Sequence, residues 1–270
     1  MKKPLFHTVA VVGVGLIGGS IGLAVKKRGL AKIVVGVARR KKSIAEIFDK
    51  KAADVVTLDW KEGVAQADLV ILCAPVPVIA DQLRTISSHI KKGALVIDVG
   101  SSKSLIEKEA RKHLKNRFVG CHPMAGSEAK GVSHASENLF ENSVCFVAKK
   151  DARILNFWKA LGASTIVMDA ESHDRWVASA SHLPHLLAFS LFQDFKVSPK
   201  IPLNPSLQGL ARIAKSDPGL WADIFLSNEK NVSAASQKIR KSLTVFENAF
   251  RTRNRAAILR LVRHANQKTR

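Results

Sequence analysis

The chain has 270 residues, 46% of them hydrophobic and 24% charged, the profile of a soluble globular protein of one or two domains. Forty-three lysines and arginines against 22 acidic residues leave a net charge of +21, read here as a solvated basic surface because no nucleic-acid-binding signature accompanies it. No apolar run reaches the roughly 18 residues of a membrane span, the basic start Met1-Lys2-Lys3-Pro4 lacks a cleavage region, and Cys73, Cys121 and Cys145 have no C-x-x-C spacing. A cytoplasmic chain without disulfides or metal is expected.

The first informative stretch is Gly13-Val14-Gly15-Leu16-Ile17-Gly18-Gly19-Ser20, which follows the β-branched run Val9-Ala10-Val11-Val12 and opens a helix-compatible segment, Ile21 to Val25. Strand, glycine turn and helix in that order define a dinucleotide fingerprint. Gly13 allows the tight turn, Gly15 lets backbone approach a pyrophosphate, and Gly18 permits close helix–strand packing. Leu16 and Ile17 belong to the same cofactor-binding stretch, where a helix N-terminus offers free N–H groups to phosphate. Lys32 to Val37 reads as a second strand. Its end is Ala38, where an NAD-binding site places a carboxylate for the ribose, and Arg39-Arg40-Lys41-Lys42 follows. Missing the carboxylate and offering an arginine fork, the site is expected to take NADP, with Arg39 and Arg40 as contacts and Arg39 the more direct.

Ser43 is expected to cap the next helix, which carries Ile44, Ile47 and Phe48 on one face. Asp68 to Ala74 and Ala94 to Val99 read as strands buried on both faces, with a crossover helix over Val78 to Ile90 between them. Phe118 to Cys121, Val144 to Ala148 and Thr165 to Met168 complete the strand pattern, with Ile154 to Leu161 helical. Strands alternating with helices imply a mainly parallel sheet. From about Ala170 the spacing turns helical: Val232, Ala235, Ile239, Leu243, Phe246 and Phe250 form one long amphipathic stripe, and Ala257 to Val262 a last helix. A cofactor domain over residues 1–170 and a helical domain over 171–270, supplying the substrate pocket and a homodimer interface, are expected.

Three polar clusters sit where this pattern places a cleft: Ser101-Ser102-Lys103, His122 with Glu128, and Ser181-His182-Leu183-Pro184-His185 with Arg212 downstream. A histidine at a strand's C-terminal edge suits proton transfer. The stretches Asp98-Val99-Gly100-Ser101-Ser102-Lys103, Gly120-Cys121-His122-Pro123-Met124-Ala125-Gly126-Ser127-Glu128, Asn138-Leu139-Phe140 and Arg212-Ile213-Ala214-Lys215-Ser216-Asp217-Pro218 follow the glycine turn in order. Together they resemble the prephenate/arogenate dehydrogenases of tyrosine biosynthesis over essentially the whole chain.

The resemblance implies an α/β fold: an N-terminal Rossmann-type, mainly parallel sheet domain followed by an all-α C-terminal domain. It implies oxidative decarboxylation of prephenate to 4-hydroxyphenylpyruvate, or of arogenate to tyrosine. By the same correspondence His122 accepts the 4-hydroxyl proton and Ser101 orients that hydroxyl or the nicotinamide. Arg212 binds a carboxylate, His182 and His185 share one helical face toward the substrate, and Glu128 tunes the hydrogen-bond network. One departure stands out: a basic residue usual in the family a few positions before the arginine is here Gln208. Two other readings remain open on residues alone, a β-hydroxyacid-type NADP dehydrogenase, which needs a lysine where this chain has histidines, and a basic nucleotide- or RNA-binding protein.

Overall fold

Seven residues from Phe6 to Val12 form β1, and only His7 among them is exposed, so this strand runs through the middle of the molecule. The computed structural model describes residues 3–127, 129–194 and 204–269. After β1 come α1 (Leu16–Lys27), β2 (Ala31–Val37), α2 (Lys42–Asp49), β3 (Val55–Thr57) and α3 (Trp60–Ala65). Then follow β4 (Leu69–Leu72), α4 (Val76–Ile86), β5 (Leu95–Asp98), α5 (Ser104–His113) and β6 (Phe118–Val119). These six strands make one parallel sheet in the order β3-β2-β1-β4-β5-β6. That order reverses direction between β1 and β4, and ligands bind such sheets at the carboxyl ends of the strands on either side of the reversal.

Alternate residues of each central strand enter opposite cores. Val9, Ile71 and Ile97 pack with α1 on one face, while Ala10, Val70 and Val96 pack with α4 and α5 on the other. Continuous apolar strands are the consequence of helices covering both faces.

The chain leaves this sheet at Gly120. The expected strand over residues 118–121 is two strands, β6 and β7 (Cys121–Pro123), and β7 pairs antiparallel with β8 (Val144–Val147) in a second sheet. After α6 (Ala152–Ala160), β9 (Ser164–Val167) pairs parallel with β8 and completes the order β7-β8-β9. Glycine serves the crossing because a Cβ there would lie 2.8 Å from Glu107 Oε1, the oxygen that accepts the Gly120 N–H at 3.1 Å. A second correction concerns α2, which starts two residues earlier than a Ser43 cap requires, with Lys41 at the cap position and no side-chain bond.

From Ala170 onward every regular element among the described residues is helical. Helix α7 (Ala170–Val177) runs through a five-residue π-turn, Ala178–His182, into α8 (Leu183–Asp194). Helices α9 (Pro205–Ala214), α10 (Pro218–Ser227), α11 (Glu229–Arg251) and α12 (Arg255–Lys268) follow. Helix α10 packs on α4 of the sheet half, α9 on α8, and α12 on the end of α11. No helix of the described residues is long and apolar enough to cross a membrane.

Candidate active site

Two cavities of about 690 and 720 Å³ meet over the glycine turn, sharing Gly15, Cys73, Ala74, Pro75 and Gly131. Gly13 has φ of +98°, and a Cβ on it would lie 2.3 Å from the Cys73 carbonyl oxygen. On Gly18 a Cβ would lie 2.1 Å from the Gly13 carbonyl oxygen, whereas on Gly15 it would meet nothing within 4 Å and would project into the space the two cavities share. Helix α1 begins there with no side-chain cap and no acidic residue in its first turn. Open backbone and uncapped N–H groups fit a dinucleotide pyrophosphate. Leu16, Ile17 and Gly18 line the first cavity; Gly13, Arg39 and Arg40 line the second. Gly18→Ala is expected to abolish cofactor quenching of protein fluorescence and to cost about 1–3 kcal/mol in a denaturant melt, because backbone must move to admit the methyl.

Among the described residues neither Arg39 nor Arg40 forms an ion pair, and both are exposed at the end of β2. Ala38 is buried between them and the sheet, its N–H bonded to Thr57 O at 2.9 Å. Two carboxylates, Glu46 and Asp81, line the same cavity from α2 and α4.

The first cavity holds His122 on β7 and Ser101 on the loop after β5. His122 Nδ1 lies 2.9 Å from His173 Nε2, and His173 Nδ1 lies 2.9 Å from Asp174 Oδ1. Asp174 also accepts the Lys103 N–H at 2.7 Å and the Ser104 N–H at 2.8 Å, at the start of α5. Burial pushes the Asp174 carboxyl up, but the bonds from His173, Ser104 and Lys103 outweigh it and hold the group below its usual range. An ionised Asp174 accepts a hydrogen bond from His173 Nδ1–H, and in that tautomer His173 Nε2 accepts from His122 Nδ1–H. That leaves His122 Nε2 as a lone pair. Burial first, then the charges of His173, Lys103 and His182, push His122 well below the usual imidazole range, so the ring is neutral at physiological pH.

Helices of the second half form the opposite wall. His185 and Ser181, one turn apart, line the cavity with Arg212 and Trp221. His185 Nδ1 donates to Ser181 O at 2.9 Å, and its ring stacks on Trp221 with centroids 3.6 Å apart. Burial lowers its pKa against that hydrogen bond, with Arg212 adding to the lowering. Arg212 is exposed at the mouth, where Lys130 and Asp217 pair across from the His122 side to the start of α10.

His182 stands apart from the expectation of a face shared with His185. It ends the π-turn, is 1% exposed, does not line the cavity, and lies 3.3 Å from the Asn228 amide through Nδ1. The wider π-turn rotates it inward and brings Ser181 to the cavity instead. Burial pushes His182 down to about 4, with Asp174 pulling the other way. Unfolded imidazole titrates near 6.5, so the folded state binds fewer protons below that pH. Its contribution is present in full above about 6.5 and lost as pH falls toward 4, on the order of 3 kcal/mol. Urea melts of His182→Gln should lose less stability than the parent between those pH values. Equal losses would mean another group titrates.

Glu128 lies outside the described residues. Sequence reasoning passed over His173, Asp174 and Trp221, and named Ser181 only as part of its cluster, with no role. The adjacent His173-Asp174 pair was the available signal, whereas nothing local marks Trp221. Among the described residues no cluster of three or more His, Cys, Asp or Glu is placed to hold a metal.

A reversed parallel sheet with an open glycine cradle, and a neutral histidine in the cavity beside it, defines a nicotinamide-dependent dehydrogenase. The model of the prephenate dehydrogenase nucleotide-binding domain matches residues 21–167, and that of the prephenate dehydrogenase dimerization domain matches residues 169–264. The chain belongs to the prephenate dehydrogenase family. It is 33% identical over 253 residues to the prephenate dehydrogenase of Lactococcus lactis, a match covering 90% of this chain and 70% of that protein. The structure of prephenate dehydrogenase from Aquifex aeolicus with hydroxyphenyl propionate and NAD+ superposes with a TM-score of 0.86 at 29% identity, covering 97% of each chain. Arogenate dehydrogenase from Synechocystis superposes with a TM-score of 0.81 at 25% identity, covering 97% of this chain and 98% of that one.

Proposed function

We propose that the chain catalyses the NADP-linked oxidative decarboxylation of prephenate to 4-hydroxyphenylpyruvate, with arogenate as the alternative substrate. The observation that carries this reading is the His122–His173–Asp174 chain in a cavity that also touches the glycine cradle, which, in the tautomer with His122 Nδ1–H donating to His173, leaves His122 Nε2 with a lone pair.

The bound nicotinamide supplies the hydride acceptor. His122 Nε2 accepts the 4-hydroxyl proton as the ring carbon loses hydride and gains carbonyl character. The resulting imidazolium is stabilised by charge drawn from Asp174 through His173. Loss of the ring carboxylate as carbon dioxide leaves a phenolate, which takes the proton back from His122. Protons and electrons then balance: one hydride to the cofactor, one carbon dioxide, one aromatic ring. Ser101 orients the hydroxyl. Arg212 offers a planar fork to a substrate carboxylate, and His185, held by Ser181 O and Trp221, presents Nε2 to the substrate.

Purified protein with prephenate and NADP should raise the absorbance of reduced cofactor. Arogenate and NAD are run in parallel, and no turnover in any of the four combinations refutes the reading.

We further infer a homodimer through the helical half, split from the cofactor half near residue 170. Leu243, Val245 and Phe250 on α11 and Val262 on α12 are 45–57% exposed, apolar surface that a second copy would cover. Light scattering should give twice the chain mass, and Phe250→Glu should shift it to one.

A further inference from the structure

Two buried charges beside the active site take no part in the steps above. Asp98 ends β5 and Lys103 precedes α5, and their side chains are 0% and 2% exposed. They pair with each other, and the pair closes on one residue, Cys121, holding the peptide groups on both sides of it. Lys103 Nζ donates to the Cys121 carbonyl at 2.7 Å, and Asp98 Oδ1 accepts the Cys121 N–H at 3.1 Å. Cys121 immediately precedes His122. The backbone of Lys103 reaches the other end of the histidine relay, because its N–H donates to Asp174 Oδ1, the oxygen that also accepts from His173.

Taking two charges out of water offsets most of their attraction, and an apolar pair of the same size would stabilise the fold as well or better. The placement therefore needs another reason. We propose that Asp98 and Lys103 are positioning residues for His122, fixing the peptide that carries its ring and, through Asp174, the His173 that orients it. The proposal rests on the reading of His122 as the proton acceptor.

The same arrangement sets the charge around the ring. Lys103 from the start of α5, His173 from α7 and His182 from the π-turn face His122, and each disfavours a proton on it. Asp98 and Glu107 are the carboxyls facing Lys103, and burial raises both. Removing the ammonium should therefore move His122 protonation to higher pH.

Lys103→Met alone leaves the Asp98 carboxyl buried without its partner, so the deciding variant is Asp98→Asn with Lys103→Met, which removes both charges and keeps both shapes. Its kcat should fall roughly tenfold to a hundredfold, as when groups that orient a functional side chain are lost elsewhere, with KM and cofactor affinity unchanged. The acid limb of its pH–rate profile should move up. Lys103→Gln, which keeps a donor for the Cys121 carbonyl, should recover part of kcat but not the position of the acid limb. Parental kcat and acid limb in the folded double variant would overturn the proposal, as would loss of folding in both variants. The titration of His122, followed by NMR of imidazole-labelled protein, needs no substrate. It decides the pair's role even if the parent turns over neither prephenate nor arogenate, a result that would sink the functional reading alone.

Discussion

His122→Asn is expected to lower kcat by about a thousandfold, inside the range a general base contributes, while cofactor affinity stays at the parental value. Asparagine can still place an amide N–H near His173 Nε2, so no buried group is left unpaired and the fold should hold. What it lacks is a nitrogen lone pair aimed at the substrate. Steady-state turnover with a cofactor fluorescence titration reads both quantities. Loss of cofactor binding or of the cooperative melt together with activity would make His122 a structural residue. The parental pH–rate profile carries the same information in another form. His122 is pushed well below the ordinary imidazole range by burial and neighbouring charge. Activity should therefore persist below pH 6.5, where an ordinary histidine is half protonated, and fail only further into acid. A half-maximal rate at the ordinary imidazole pKa would contradict the neutral ring.

The second large effect concerns the cofactor. Arg39→Ala with Arg40→Ala should raise KM for NADP by roughly tenfold to a hundredfold and change KM for NAD little, because charge-assisted bonds of about 1.5–3 kcal/mol are discounted here for exposure. Both guanidinium groups stand at the end of β2 beside Ala38, and among the described residues neither forms an ion pair. They are available to a 2′-phosphate, and no carboxylate stands at Ala38 itself. Glu46 on the same cavity sets a limit on that preference and gives a companion measurement: Glu46→Gln should tighten NADP. Equal losses for NADP and NAD in the arginine variant would show that the two side chains serve the surface alone.

Much of this was legible in the chain itself. The strand–glycine–helix run names its own conformation, since only glycine tolerates the φ of Gly13 and the approach at Gly18. The continuous apolar strands β4 and β5 could only be buried on both faces. Short elements were not legible: β3 spans three residues and α3 six, too few for a period to register, although Asp59 caps α3 through the Lys61 and Glu62 N–H groups. The sheet switch at Gly120 was hidden because Phe118 to Cys121 reads as one apolar strand whichever sheet it joins. For the site, His122, Ser101, His185 and Arg212 meet in one cavity. His182 does not, because a spacing of three implies one face only in an α-helix. His173 and Asp174 act from 51 residues and more beyond His122, a distance that only the fold closes.

The π-turn has a last consequence, for how this site can vary over evolutionary time. A π-turn is one extra residue accommodated in a helix. Because the bulge absorbs that residue locally, losing any single residue from Ala178 to His182 would let α7 and α8 join as one regular helix while the faces on either side kept their directions. His173, which bonds His122, and His185, which lines the cavity, sit on opposite sides of the insertion and would stay where they are. What a one-codon deletion would change is the turn itself, where Ser181 meets the cavity and His182 turns away from it. Gain or loss of one residue at this point is a route by which the wall could be relined without moving the helices around it.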